Sequence, residues 1–243
     1  MSDDVERIRR TRTRREHGGT GVTQLDNSAF DLMANKLYVA VISDVLDSLG
    51  YRQQVLPPGI VPLQRNALTP LVGRAATVLV GPQFEVVEQP YTNQIAAIDA
   101  LRPGDVVVAA VGGMTDIAVW GELFSNAAIA RGARGFLTDG CHRDSRMLLD
   151  LGFPVFSRGA RPVDISGRGT VISYGRPVRV AGVLVEPGDV VFAEIDGIAI
   201  IPGAVAEEVV TRAFEKVAKE DGARDDLRAG QLLSAVWTKY RVL

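Results

Sequence analysis

Two glycine turns near the middle of the chain, Gly112-Gly113 and Gly140, limit most strongly how the chain can fold. Each follows a short run that is typical of a strand. The run Val106–Val111 is rich in β-branched residues and follows Pro-Gly-Asp, which is typical of a buried strand. A helical pattern opens at Gly121 and ends at Gly132, a residue type that commonly stops helices. The next strand is predicted over Phe136–Asp139. This succession of strand, helix and strand predicts an α/β fold.

Further elements are predicted on both sides of this segment, without a regular alternation of strand and helix. We predict helices over Asn27–Leu37, Tyr38–Leu49, Asn93–Ala100 with Asn93 as its N-cap, Asp144–Leu151, Ala204–Lys219 and Asp225–Tyr240. We predict strands over Ala75–Val80, Phe153–Phe156, Val190–Glu194 and Ile198–Ile201, the last two as a hairpin around Asp196-Gly197. The buried side of the last helix is expected to carry Leu232, Leu233, Val236, Trp237 and Tyr240. The pattern favours one layered α/β domain over residues 25–243, flanked by N- and C-terminal helices, rather than a TIM barrel.

Residues 1–24 form a polar N-terminal arm that carries six arginines between Arg7 and Arg15. We interpret it as a mobile or subunit-packing arm, with a polyanion contact as the alternative. No aromatic residues interleave with the arginines for base stacking, and the net charge of the chain is −2. Nucleic acid is therefore not the partner that we expect.

Cysteine content and apolar run length indicate the compartment. Cys141 is the single cysteine, which excludes an intrachain disulfide framework and fits a reducing cytosol. The apolar runs are far too short to span a membrane, and the charged N-terminus does not resemble a secretion signal. We expect a cytoplasmic protein without a membrane partner.

Arg143 and Asp144 are the main candidates for chemistry, because they follow the predicted strand that ends at Asp139. Ligands in open α/β sheets collect outside the carboxyl ends of strands, and the helix that opens at Gly121 offers unpaired N–H groups to an anion. Arg143 can bind a carboxylate or an enolate oxygen, and Asp144 can bind a hard divalent cation. The alternatives remain a solvated Arg-Asp pair, Asp144 as a helix N-cap, and Glu122 as a charge that only complements the helix dipole.

Other chemistries find less support in the sequence. No Walker loop, GxGxxG, GxSxG or HExxH motif stands in the expected context. Cys141-His142 suggests thiol catalysis, but adjacent side chains usually project apart, whereas a catalytic pair needs hydrogen-bond reach. The segment Gly112–Ser157, which includes the candidate residues, contains no lysine that could form a Schiff base. A metal-dependent mechanism fits this inventory better.

The same stretch resembles the RraA-like family, which includes class II 4-hydroxy-4-methyl-2-oxoglutarate aldolases and proteins first described as regulators of RNase E. The resemblance covers roughly residues 32–202. Its motifs are Gly121-Glu122-Leu123, Asp139-Gly140, Arg143-Asp144 and Gly152-Phe153-Pro154-Val155-Phe156. It implies a swivelling β/β/α-type fold assembled as a homotrimer or as a hexamer of two trimers.

The resemblance also implies roles in substrate binding. The backbone N–H groups of Gly121, Glu122, Leu123 and Phe124 would hold the carboxylate of a small 2-oxo acid. Arg143 would bind the oxygen on which negative charge develops. Cleavage of the C3–C4 bond, or loss of CO₂ from oxaloacetate, would leave a pyruvate enolate, so the expected activity is that of an aldolase or a decarboxylase.

A divalent cation, Mg²⁺ or Mn²⁺, is the cofactor that the resemblance implies. Asp144 would bind it, Glu122 would support its water ligands, and Glu220 would reach the site of a neighbouring subunit. Arg143 and Asp144 are thus the expected catalytic residues.

Two places in the sequence depart from the family pattern. Met147 stands where family aldolases often have an acidic residue, and Cys141-His142 replaces smaller or apolar residues. The substrate could therefore differ. A non-catalytic regulatory or binding protein on the same fold, or another enolate-type lyase such as a dehydratase, remains the alternative.

Overall fold

The computed structural model describes residues 25–65 and 69–242, and a mixed eight-stranded sheet lies at its centre. The predicted arm, residues 1–24, lies outside the described residues. The strands are β1 (Val61–Pro62), β2 (Leu71–Pro82), β3 (Asp105–Ala110), β4 (Ala118–Trp120), β5 (Gly135–Thr138), β6 (Cys141–His142), β7 (Val155–Ser157), β8 (Gly159–Ala160), β9 (Gly169–Tyr174), β10 (Val178–Val180), β11 (Val183–Val185), β12 (Val190–Glu194) and β13 (Gly197–Ile201). The helices are α1 (Asn27–Lys36), α2 (Val39–Ser48), α3 (Thr92–Asp99), α4 (Glu122–Ala130), α5 (Ser145–Leu151), α6 (Ala206–Arg228) and α7 (Leu233–Tyr240).

The central sheet has the order β1-β7-β5-β3-β2-β12-β13, and β9 also pairs with the long strand β2. The run β2, β3, β5 and β7 is parallel, whereas the remaining pairs of this sheet are antiparallel. The two edges of the sheet approach each other through one segment. Leu56 N–H donates to the Ile198 carbonyl of β13 at 2.9 Å, and β1, which begins five residues later, pairs with β7. The sheet is therefore curved into a nearly closed barrel.

The residues of β3 show why its sequence is apolar from Val106 to Ala110. Val106 and Val108 belong to the apolar cluster that also includes the β10–β11 hairpin, whereas Val107 and Ala109 pack in a cluster with α3, α4 and α5. A strand that is covered on both faces needs apolar residues at every position. A third cluster joins α1, α2 and α6 to β2, β12 and β13. The hairpin, the sheet and the helices thus form the layered β/β/α arrangement, which confirms the predicted fold class.

The C-terminal helices differ from the prediction. α6 continues to Arg228, so the first residues of the predicted helix Asp225–Tyr240 belong to α6. The helical conformation is then interrupted at Gly230, whose backbone is in the left-handed region (φ 85°). Of the five residues expected on the buried side, Val236 alone is buried, and Leu232 is 74% exposed. Gly222 lies inside α6 and does not end it. A Cβ there would lie 2.8 Å from the ring of Tyr240. The close approach of α7 explains this glycine.

The start of α3 is also different from the prediction. Asn93 does not cap the helix, which begins at Thr92; its side-chain amide donates to the Val171 carbonyl of β9 at 2.8 Å. The predicted β12–β13 hairpin is confirmed, with a two-residue turn one position earlier, at Ile195-Asp196. Within residues 25–65 and 69–242, every helix is too short or too polar to cross a membrane.

Candidate functional site

The starts of α4 and α5 lie side by side because a small parallel sheet delivers both. Its order is β4-β6-β8; β4 leads through Gly121 into α4, and β6 leads through Arg143 and Asp144 into α5. Arg143 N–H donates to the Trp120 carbonyl at 2.8 Å, which joins the two strand ends. The Trp120 ring stacks on Phe136 with a centroid distance of 4.2 Å and fixes the position of this edge. The predicted meeting of the two motifs is therefore present in the described fold.

Asp144 directs its side chain towards the neighbouring helix rather than its own. It precedes α5 in the left-handed conformation (φ 61°, ψ 35°) and makes no side-chain capping bond to that helix. Its Oδ2 instead accepts a hydrogen bond from the Glu122 N–H at 3.1 Å. Asp144 therefore occupies the N-cap position of α5 without capping it through its side chain, and the carboxylate lies at the positive end of α4.

Gly121 leaves the space that this arrangement needs. A Cβ atom at Gly121 would lie 2.5 Å from Asp144 Oδ2 and 3.1 Å from Arg143 Cγ. Its backbone is extended (φ −159°), so the glycine is required by contact and not by conformation. The absence of one side chain thus sets the distance between the two helix starts.

The first turn of α4 retains N–H groups that can bind an anion. The amides of Leu123 and Phe124 precede the point at which intrahelical acceptors become available, while the Glu122 N–H is used by Asp144. Leu123 is 77% exposed, so this turn is open to solvent. The predicted substrate-binding residues therefore lie at an accessible helix start beside Asp144.

Arg143 lies between two carboxylates. Its Nη1 is 3.0 Å from Asp164 Oδ1, and its Nε is 3.8 Å from Asp144 Oδ2. The other oxygen of Asp164 accepts a 2.5 Å hydrogen bond from the Tyr91 hydroxyl. Sequence reasoning missed Asp164 and Tyr91, since neither is part of a motif and each is at least 20 residues from Arg143.

An open cleft of about 360 Å³ adjoins these groups. It is lined by Arg143, Asp144, Ser145, Ala160, Arg161 and Pro162. Arg161 N–H donates to the His142 carbonyl at 2.8 Å, which extends the β6–β8 pairing. No acidic side chain among residues 25–65 and 69–242 forms an ion pair with Arg161. The cleft thus presents two guanidinium groups and one carboxylate, and it favours an anionic ligand.

Comparison with known proteins identifies the family. The family model described as RraA-like, Aldolase/RraA, matches residues 39–200. The chain belongs to the RraA-like family. The resemblance stated from the sequence motifs is confirmed.

Three relatives of this RraA-like chain illustrate its range. A Halalkalibacterium halodurans protein provisionally named 4-hydroxy-4-methyl-2-oxoglutarate aldolase is 33% identical, with 76% of this chain and 81% of that protein covered. Protein DlpA of Legionella pneumophila is 27% identical over 83% of this chain, but the chain spans only 32% of the length of DlpA. The crystal structure of Streptomyces coelicolor RraAS2, described as an unusual member of the RNase ES inhibitor RraA protein family, has a TM-score of 0.73. It is 27% identical, with 83% of this chain and 98% of RraAS2 covered.

The remaining predicted metal residues of the RraA-like chain are not gathered around Asp144. The Glu122 carboxylate accepts a hydrogen bond from the Asn126 amide on its own helix. Glu220 lies on α6, 3.8 Å from Lys216, and burial raises the pKa of its carboxyl group, an effect that Arg224 partly opposes. In the part of the chain that the structure describes, no three His, Cys, Asp or Glu side chains are grouped to hold a metal ion. Met147, at the divergent position, is on α5 and 43% exposed.

Cys141 and His142 have separate environments. His142 is 3% exposed, with Nδ1 2.7 Å from Ser157 Oγ and Nε2 3.0 Å from Ser145 Oγ. Burial lowers the pKa of His142, and the nearby Asp144 charge opposes this only in part. Cys141 Sγ faces the Thr115 carbonyl at 3.6 Å, and burial raises the pKa of its thiol. The two side chains therefore do not form a thiolate–imidazole pair in this RraA-like fold.

Proposed function

We propose that this chain is a divalent-metal-dependent carbon–carbon lyase that acts on 2-oxo acids through a pyruvate enolate. The activity would be that of a 4-hydroxy-4-methyl-2-oxoglutarate-type aldolase, an oxaloacetate decarboxylase, or both. One observation carries the proposal: the carboxylate of Asp144 and the guanidinium of Arg143 meet at the open start of α4, beside a cleft of about 360 Å³. The provisional name of the H. halodurans relative supports the same reaction class.

The residues present fit a Mg²⁺ or Mn²⁺ ion. Mg²⁺ usually keeps several water ligands and is bound through one or two carboxylates together with substrate oxygens. Asp144, whose side chain is 33% exposed at the cleft, supplies such a carboxylate. Glu122 contacts Asp144 through its backbone N–H, so its own carboxylate would act only through the water ligands of the ion. When bound, the ion would supply positive charge that polarises the 2-oxo group.

The protein's own groups would bind and orient the substrate. The N–H groups of Leu123 and Phe124 would bind its 1-carboxylate at the positive end of α4. Arg143 would donate to the 2-oxo oxygen and stabilise the negative charge that develops there on C–C cleavage. The loss of one such donor typically costs about 3 kcal/mol of transition-state stabilisation. Arg161 would bind a second carboxylate, which favours a dicarboxylic substrate.

We also propose that the active form is a homotrimer or a hexamer. Glu220 would have to come from another copy of the chain to reach the metal shell, because its own helix packs mainly against α2 and α7. The described surface includes large apolar side chains that an assembly would cover. Phe84 is 90% exposed and Val86 is 82% exposed.

A non-catalytic regulatory or binding protein is the second candidate function. The structural likeness to RraAS2 favours it, as does the lack of a three-residue metal-ligand group in residues 25–65 and 69–242. Such a protein would form no pyruvate at any metal concentration. A dehydratase, the remaining alternative, would form a dehydrated product without breaking a C–C bond.

The test is the removal of the Asp144 carboxylate in two ways. Alanine adds strain at a positive φ, whereas glycine does not, so Asp144→Ala and Asp144→Gly are compared. We expect both proteins to remain folded by far-UV circular dichroism and to lose Mn²⁺-stimulated pyruvate release from oxaloacetate. Heat-denatured protein controls for decarboxylation by free Mn²⁺. Unchanged metal-dependent turnover in folded Asp144→Gly would remove Asp144 from the mechanism.

A further inference from the structure

The guanidinium of Arg143 is held by groups that come from distant parts of the chain. Asp164, in the loop between β8 and β9, is 3.0 Å from Arg143 Nη1 through Oδ1. Tyr91, at the start of α3, donates its hydroxyl hydrogen to Asp164 Oδ2 at 2.5 Å. The Tyr91 ring contacts Phe124 of α4 edge-on, with a centroid distance of 6.4 Å. The chain Tyr91–Asp164–Arg143 therefore connects three elements that surround the candidate site.

We infer that Asp164 and Tyr91 are positioning residues that fix the orientation of the Arg143 guanidinium for the developing enolate oxygen. This inference rests on the proposed function. Arg143 uses Nη1 for Asp164, and its Nε is 3.8 Å from Asp144 Oδ2, which leaves the Nη2 group for the substrate. A planar guanidinium that is held on one edge is already oriented before the substrate binds.

The contact between Arg143 and Asp164 differs from an ordinary surface ion pair. The side chains of Arg143 and Asp164 are 35% and 29% exposed, whereas the Asp99–Arg131 pair at α3 has exposures of 61% and 50%. Asp164 also accepts a hydrogen bond from the Ser166 N–H, so its carboxylate is held by two hydrogen-bond donors in addition to the Arg143 charge. Exposed pairs contribute little, but a carboxylate held by several donors can keep its partner in one geometry.

The protonation states agree with these roles. Burial acts to raise the pKa of Asp164, but the Tyr91 hydroxyl, the Ser166 amide and the Arg143 charge together lower it. The hydrogen bond to Asp164 raises the pKa of Tyr91, with burial in the same direction. The phenol therefore stays protonated as the donor, and the carboxylate stays ionised as the acceptor.

The expected kinetic result separates positioning from general damage. Asp164→Asn removes a negative charge beside Arg143, so ground-state binding of an anionic substrate is not weakened. Orientation in the transition state is weakened. We expect kcat to fall about 10-fold with KM unchanged or lower, and Tyr91→Phe to cause a smaller fall in kcat. Loss of structure would instead reduce the fraction of active protein and the melting temperature.

The experiment measures Mn²⁺-dependent pyruvate release from oxaloacetate by the full chain and its variants. Asp99→Asn is the matched control for loss of an ion pair, and Tyr174→Phe, at an exposed tyrosine, is the control for loss of a hydroxyl; both should behave as wild type. The double variant Arg143→Lys with Asp164→Asn should be no slower than Arg143→Lys alone, because Asp164 acts through Arg143. Additive losses in that double variant would overturn the inference.

The possible failures are distinguishable. If wild type releases pyruvate and Arg143→Lys is impaired while Asp164→Asn keeps wild-type kcat and KM, the positioning role is wrong and the proposed function stands. A rise in KM at unchanged kcat in Asp164→Asn would also overturn the inference, since it indicates a role in ground-state binding. The absence of metal-dependent pyruvate release from folded wild type would overturn the proposed function and this inference with it.

Discussion

Gly121→Ala is the substitution that tests the site geometry most directly, because it adds one methyl group where the two helix starts touch. The new Cβ would lie 2.5 Å from Asp144 Oδ2, whereas carbon and oxygen atoms in contact need about 3.3 Å, so the carboxylate must retreat by roughly 0.8 Å. Asp144 Oδ2 is the end of a side chain that is 33% exposed, so it can turn towards the cleft without moving the backbone. Its 3.1 Å bond to the Glu122 N–H would then be lost.

The effects on stability and activity have different sizes. Loss of the bond to Glu122 should cost about 1 kcal/mol. Replacing glycine by alanine in an extended backbone (φ −159°) should return about 0.4–1 kcal/mol by restricting the unfolded chain. The free energy of unfolding should therefore change little. A displacement of nearly 1 Å in a reacting group can cost about 10²-fold in rate, so activity should fall by that order.

The assay pairs thermal unfolding with Mn²⁺-dependent pyruvate release from oxaloacetate. Gly203→Ala is a matched control, because its Cβ would meet nothing closer than the Gly188 carbonyl oxygen at 3.4 Å. We expect both variants to melt within about 3 °C of wild type, and Gly121→Ala alone to lose activity. If Gly121→Ala kept at least half of the wild-type kcat/KM, the argument that Asp144 acts from this position would be wrong.

Four other substitutions probe the charges of the fold and the cleft. Arg143→Lys should lower kcat by about 10²-fold, since a point charge cannot reproduce the planar donor set; near-wild-type kinetics would make Arg143 a structural residue. Arg161→Gln should lower kcat/KM about 10-fold for a dicarboxylic 2-oxo acid and little for a monocarboxylic one, and equal losses on both would contradict its role in binding a second carboxylate. Burial raises the pKa of Asp189, although backbone amides oppose this shift. The stability that Asp189 contributes is therefore present below its unfolded pKa of about 4 and is lost as the pH rises through the higher folded pKa. Urea unfolding should therefore show Asp189→Asn becoming more stable relative to wild type from about pH 4 to 7. Asp105→Asn should instead be destabilised at pH 7, because Arg74 loses the carboxylate 2.8 Å away. If the free energies of unfolding of Asp189→Asn and wild type followed parallel pH profiles, this reasoning would be refuted.

Sequence patterns predicted many of the helices and strands, because apolar periodicity and glycine positions determine where these elements begin and end. The run Val106–Val111 falls on β3, which ends at Ala110 and is covered on both faces, and Gly121 and Gly152 mark the start and the end of helices as expected. The predicted boundary at Asp225 was wrong because α6 continues through Gly222 to Arg228, although glycine has a low helix propensity. Whether a glycine ends a helix depends on what packs against it, and the Tyr240 ring that packs there is a tertiary contact.

The candidate site was predictable where its residues follow strands, and not where they come from loops. Arg143 and Asp144 were predicted as candidates because they follow the turn after the predicted strand that ends at Asp139. Asp164 and Tyr91 carry no such signal: one lies in an irregular loop, and the other precedes a short helix. Their relation to Arg143 depends on how the β8–β9 loop folds back, which no local pattern reports.

The direction of the Asp144 side chain shows why spacing alone misjudged its role. An Asp before a helix normally caps that helix, which requires an extended backbone at the cap. Asp144 is left-handed instead, a conformation that Asp tolerates better than most residues, and this turns its carboxylate across to α4. The contact exists only because Gly121 contributes no side chain at the same point. A residue that would have satisfied its own helix is thereby placed beside Arg143 and the cleft, where its charge is available to a cation or to a substrate.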